Sequence, residues 1–284
     1  MDGNAAEMVR DSFVQRVHPD ADPRLTAFLA AFIGQAGDLI TRFDARRSDL
    51  QAVIRFLTAV GEACDEKRQE WVLLFDTLGL TTAIETNSAR RPAGTTPNTL
   101  LGPFFREGAP ERQSGETICI DGVGAPMLFR AQVTDLDDLP VPGARVDVWQ
   151  ANGQGLFENQ VPDQQPEFNL RGTYRTGPDG TVDIRTVRPG GTHLPSDGPV
   201  ADLVRKLGLS LRRPAHMQFR IRAAGFKTLT THVFDQSDPH IGDDPLFCVH
   251  SDLLADFGAA HPAGGTVAAY RFVLARSRPG EEDL

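Results

Sequence analysis

The chain has 284 residues, 40% of them hydrophobic and 24% charged, which suits a soluble globular protein with a sizeable core and excludes a largely disordered one. A net charge of −9 works against bulk attraction to nucleic acid or an anionic membrane. No apolar run approaches the ~18–20 residues of a membrane span. The start Met1-Asp2-Gly3-Asn4 is acidic and has no secretory apolar core. Cys64, Cys119 and Cys248 fit neither a disulfide framework nor a zinc spacing, so a cytoplasmic setting is expected.

The first third has helical periodicity. From Leu25 the apolar positions Phe28, Leu29, Phe32, Ile33, Ala36, Leu39, Ile40 and Phe43 recur on one helix face, after Asp22-Pro23 as a start signal. Ser48 is the predicted cap of a second helix carrying Leu50, Val53, Ile54, Leu57, Val60 and Cys64. A third is predicted over 65–78 with Gly79 as its stop. These helices need apolar cover from the rest of the chain, from one another or from a second subunit. Residues 90–97 are the predicted linker, so the domains are 1–95, helical, and 96–284, β-rich.

Beyond residue 97 come short β-rich runs over 117–120, 128–133, 145–149, 181–185, 217–221 and 268–274. Gly, Pro and Asp separate them, as at Pro178-Asp179-Gly180. One helix is predicted over 199–207, and the tail from Pro279 is expected to be mobile. The pattern is mixed but mainly β, a helical segment followed by a sandwich or barrel.

Several motifs carry a resemblance. They are Thr96-Pro97-Asn98-Thr99-Leu100-Leu101-Gly102-Pro103-Phe104 and Val146-Asp147-Val148-Trp149-Gln150-Ala151-Asn152-Gly153-Gln154-Gly155-Leu156. Arg185-Thr186-Val187-Arg188-Pro189, Leu194-Pro195-Ser196-Asp197-Gly198-Pro199, Arg213-Pro214-Ala215-His216 and Lys227-Thr228-Leu229-Thr230-Thr231-His232 follow. Together they resemble the intradiol ring-cleaving dioxygenases, in wording the hydroxyquinol and catechol 1,2-dioxygenase branch. The resemblance implies a β-sandwich catalytic domain and a homodimer joined through the N-terminal helices, with lipid bound between them. It also implies a ferric ion held by two Tyr and two His, and a small aromatic substrate.

The chain departs from that ligand set. The positions the resemblance assigns to the four ligands hold Phe157, Thr192, His216 and Gln218. There are 17 Phe but only two Tyr, Tyr174 and Tyr270, and neither lies in a matching segment. Phe offers no donor, Thr and Gln are weak neutral ones, and no tyrosinate charge would offset a ferric ion. The expectation at this level is therefore that no cofactor is needed, with a divalent metal or iron in altered ligation as the alternative.

Three functions stay open. One is acid–base or cofactor-independent chemistry on a catechol-like or polyphenolic ring, with His216 as base and Arg213 as anion partner. Leu101, Gly102, Pro103, Phe157, Thr192, His193, Gln218 and His232 would line that substrate site. Another is ordinary ring cleavage at a metal rebuilt on His193, His216 and His232. The third is a non-catalytic ligand-binding partner of an intact relative. The pairs Asp137-Asp138 and Asp243-Asp244 read as solvated turns.

Overall fold

The computed structural model describes residues 5–66, 68–89, 91–262 and 264–277. Two compact units emerge, 1–63 and 64–284. By compactness the helices between 64 and 95 fall in the same unit as the strands. The expected mobile tail lies outside the described residues.

The first unit holds α1 (Ala5–Arg16), α2 (Pro23–Arg42) and α3 (Arg47–Glu62). Asp22 caps α2, its Oδ1 accepting from the Arg24 and Leu25 amides at 2.7 and 3.0 Å, with Pro23 in the first turn. Ser48 is not the cap of α3. It lies inside the first turn, where the neighbouring carboxylate does that work: Asp49 accepts from the Arg46 amide at 2.8 Å. α1, absent from the sequence expectations, packs along α2. The predicted apolar face of α2 forms, but Phe28, Phe32, Leu39, Ile40 and Phe43 are exposed, and α2 buries no residue fully.

The second unit opens with α4 (Glu70–Thr77) and α5 (Leu80–Ala89). α4 starts later than predicted because Asp65 Oδ1 draws in the Arg68 amide in a turn. Gly79, at φ +71°, ends it, a backbone conformation that side chains disfavour. The strands are β1 (Pro126–Thr134), β2 (Arg145–Gln150), β3 (Arg171–Arg175), β4 (Thr181–Val187), β5 (His216–Arg222), β6 (Leu229–Asp235), β7 (Leu254–Ala255) and β8 (Thr266–Val273). α6 (Pro199–Lys206) interrupts them where expected. The predicted strand at 117–120 reduces to one bridge, Thr117 to Arg185.

Sheet order is β4-β1-β8 in one layer and β3-β2-β5-β6-β7 in the other. Phe129, Val146, Val148, Ile184, Met217, Phe219, Ile221, Val233 and Phe272 fill the space between, making the expected sandwich. Alternation then dictates the rest. In β5, Met217, Phe219 and Ile221 enter the core, so His216, Gln218, Arg220 and Arg222 face away from it.

Candidate functional site

The outer face of the five-stranded sheet carries the site. Cross-strand register places Arg171, Trp149, Gln218 and His232 in one row over β3, β2, β5 and β6. His216 opposes Phe234 in the adjoining row. All are buried under the loops that connect the strands.

Two of those loops are locked together by glycine. A Cβ on Gly155 (φ +81°) would lie 2.1 Å from the Gly191 carbonyl oxygen, and one on Gly190 would lie 2.5 Å from that of Gly153. Only glycines permit this backbone contact, which sets Phe157 and Thr192 beside the sheet. Asn152 organises the first loop by accepting from the Gln154 and Leu156 amides.

At the centre is Arg213. Its Nε donates to Asp244 Oδ1 at 3.0 Å and its Nη2 approaches Oδ2 at 3.5 Å. Its Nη1 lies 3.4 Å from His232 Nε2. A guanidinium has donors only, so His232 Nε2 is the acceptor and its proton sits on Nδ1, which donates to the Thr99 hydroxyl. His216 Nδ1 lies 2.8 Å from the Pro214 carbonyl, also an acceptor, so it too carries the proton there. Both imidazoles present Nε2 lone pairs, with ring centroids 5.0 Å apart. Burial and the Arg213 charge lower His216 to about 3 and push His232 well below its usual range. An imidazole so hard to protonate is a poor base; what His216 offers is a lone pair.

Gln218 Nε2 donates to the Leu101 carbonyl at 3.4 Å, and Gly102 sits against the same amide. Leu101, Gly102 and Pro103 thus belong to an exposed loop that crosses the row at Gln218. Phe157 is buried among Trp149, Ala151, Phe104 and Phe105. Arg171 supports this wall, donating to the Phe104 carbonyl and to Glu158, which Arg106 also pairs at 2.8 Å.

His193 is not brought in. Strand-like alternation buries Thr192 and turns His193 to solvent, beside its bridge to Arg212. The three-histidine centre therefore does not form, and among the described residues no group of three or more His, Cys, Asp or Glu could hold a metal. Asp197 is exposed and pairs with Arg68 at 2.9 Å.

The reading of Asp243-Asp244 as solvated turns is corrected for Asp244, which is 8% exposed and clamps Arg213. Thr99 and Asp76 were missed as well. Asp76, on α4, faces the Arg213 charge; burial raises its pKa, and its Oδ1 has no hydrogen-bond partner. No short-range sequence spacing signals residues that meet only through tertiary structure. Asp137 and Asp138 are exposed as expected.

On its outer face the sandwich thus gathers a buried arginine and two buried histidines beside an aromatic wall. Residues 22–96 match the model described as catechol dioxygenase N terminus, and residues 100–276 match the one described as dioxygenase. The chain is 41% identical over 251 residues to the hydroxyquinol 1,2-dioxygenase of Rhizobium sp. (strain MTP-10005), covering 88% of this chain and 85% of that one. It is 34% identical over 244 residues to the 6-chlorohydroxyquinol 1,2-dioxygenase of Cupriavidus pinatubonensis, covering 86% and 88%. The solved hydroxyquinol 1,2-dioxygenase from Pseudomonas putida DLL-E4 superposes with a TM-score of 0.90 at 33% identity, covering 96% of this chain and 99% of that one. The chain belongs to the intradiol ring-cleaving dioxygenase family.

That membership corrects the expectation of no cofactor: the hydroxyquinol and catechol 1,2-dioxygenases it resembles are iron enzymes, and iron is what the family supports. The donors at the four positions do not reproduce the set the resemblance implies. Phe157 has none, Thr192 and Gln218 are neutral, and His216 alone keeps its type. Both tyrosines are engaged elsewhere, Tyr174 donating to the Glu116 carbonyl and Tyr270 to that of Asp252. Asp244, the carboxylate nearest the centre, is already committed to Arg213. Among the described residues, no helix is long and apolar enough to cross a membrane.

Proposed function

We propose that the chain is an oxidoreductase of aromatic metabolism that takes a hydroxyquinol- or catechol-type ring on the outer face of its five-stranded sheet. The observation that carries this reading is the donor–acceptor pair at the centre. Arg213 supplies N–H donors to one ring oxygen, and His216 Nε2 supplies a lone pair to the hydroxyl beside it. A catechol-type ring has adjacent hydroxyls suited to that pair. Arg213 also stabilises any negative charge that develops on the oxygen it holds. Asp76 Oδ1 remains as an acceptor for a further hydroxyl, which favours a trihydroxylated ring over catechol. The loops over Gln218 and Phe157 keep water from the ring.

The test is oxygen uptake by purified, ferric-loaded protein supplied with hydroxyquinol or catechol, with binding measured separately under anaerobic conditions. Uptake with loss of the aromatic absorbance supports ring cleavage; absence of binding overturns the reading. A second reading is favoured by the replaced donors at 157, 192 and 218: the chain holds the aromatic without turning it over and acts on an intact relative. Binding without uptake, and a changed rate of that relative when the two are mixed, would establish it. We also take the exposed apolar faces of α2 and α3 as a homodimer interface able to enclose lipid, tested by solution mass and lipid extraction.

A further inference from the structure

Among the described residues, Arg213 is the only cation in the buried group that meets around His216 and His232, and its aim depends on what holds it. One side is closed by both oxygens of Asp244. Asp244 is itself fixed, accepting from the Leu246 amide at 3.4 Å and the Cys248 amide at 3.0 Å. The other side meets His232, which Thr99 holds from behind. Thr99 is fixed in turn, its amide donating to the Thr230 carbonyl at 2.9 Å. Asp244, Arg213, His232 and Thr99 come from four separate stretches of chain, so the connection is purely tertiary.

We propose that Asp244 and Thr99 are positioning residues: acting from opposite ends of the Asp244–Arg213–His232–Thr99 chain, they fix the direction in which Arg213 and the His232 ring meet the aromatic ligand. The proposal rests on the aromatic-binding reading for its effect on ligand, but the hydrogen-bond order it requires exists without ligand. Rotating Arg213 away would strip His232 Nε2 of its donor and leave its tautomer unspecified. Losing the Thr99 hydroxyl would leave the Nδ1 proton without the acceptor that holds it and so weaken the preference for that tautomer.

The experiment uses the full chain with 15N-labelled histidine. Two-bond 15N–1H correlation spectra assign the tautomers of His216 and His232, and anaerobic fluorescence titration with hydroxyquinol reads affinity. In the native protein both rings should carry the proton on Nδ1. Asp244→Asn and Thr99→Val should each change the His232 signature towards a tautomer mixture while leaving that of His216 in place. Each should weaken hydroxyquinol by about tenfold, the size of one charge-assisted hydrogen bond. Asp183→Asn, which breaks the surface pair with Arg130, should alter neither readout. If Asp244→Asn fails to fold, Thr99→Val decides. A native His232 protonated on Nε2, or a signature unmoved in folded variants, overturns the proposal whether or not hydroxyquinol binds. Correct tautomer changes with no native binding would instead refute the aromatic reading while sustaining the network.

Discussion

Phe157 and Phe104 stack, with ring centroids 4.2 Å apart and 16° between their planes. The position where the resemblance implies a ligand tyrosine is thus built into an apolar wall, closed by Trp149 standing edge-on to Phe105 at 5.0 Å. A phenol at Phe157 would share that stack and present an oxygen where none now exists. Phe157→Tyr combined with Thr192→Tyr and Gln218→His should therefore give a visible tyrosinate-to-iron band on ferric loading. The native chain, with its two tyrosines donating to carbonyls elsewhere, should give none. A band in the native protein, or none in the folded and iron-loaded triple variant, would show that these positions are misassigned.

The wall has a charged support whose removal is costly. Arg171 is 1% exposed and pairs with Glu158, which is 3% exposed. Burial alone would raise the Glu158 carboxyl, but Arg171 and Arg106 outweigh it and hold the group ionised. Glu158→Ala leaves Arg171 in the interior without its carboxylate and should cost about 3–5 kcal/mol in urea unfolding. Replacing both by apolar side chains of similar volume should cost less than the single change, since the uncompensated charge is gone. Equal losses for the single and double variants would mean that packing dominates at this pair.

Much of this arrangement was legible in sequence because it follows from local periodicity. His216-Met217-Gln218-Phe219 alternates polar and apolar, and the structure turns the apolar pair into the core and the polar pair to the site. The helix at Pro199 and the turn at Gly180 carried their own signals. β3 was not recognised because Arg-Gly-Thr-Tyr-Arg has little apolar content; its polar side chains serve the outer face, where Arg171 meets Glu158. α5 followed α4 with only Leu78-Gly79 between, so a single stop signal concealed a second helix. The roles of Asp244, Thr99 and Asp76 depend on contacts between distant stretches, for which adjacent residue types give no guide. The placement of His193 failed for a different reason: the residue next to a buried one in an extended segment points outward.

Asp76 gives a prediction about selectivity. Its Oδ1 is buried without a partner beside the Arg213 charge, so a ligand hydroxyl reaching it would relieve an unsatisfied acceptor. Hydroxyquinol should bind more tightly than catechol by about tenfold, one such hydrogen bond. Asp76→Ala should bring the two affinities together, mainly by weakening hydroxyquinol. Equal affinities in the native chain would place the third hydroxyl elsewhere.

The buried site should also be readable in the acid dependence of stability. His216 and His232 stay neutral in the fold, through burial first and the Arg213 charge second, while in the unfolded chain each protonates near the ordinary value of 6.5. Below about pH 6.5 the unfolded state therefore binds more protons, and stability falls on acidification at up to about 1.4 kcal/mol per pH unit for each ring. Above that pH the two contribute no slope. Asp244 and Glu158 behave with the opposite charge and in a lower window. Burial opposes their ionisation, but the arginine partners win and hold both below the usual carboxylate range. Their stabilisation is complete above about pH 4–5 and is lost as pH falls through the folded values. Urea midpoints measured from pH 8 to 4 should thus be level at first and then decline from about 6.5. His232→Gln, which removes one of the two rings, should shrink the decline between 6.5 and 4.5 by roughly half if both rings contribute equally. A native profile that stays level through pH 5 would mean that these imidazoles take up protons in the folded state, and that the site is more open to water than its burial implies.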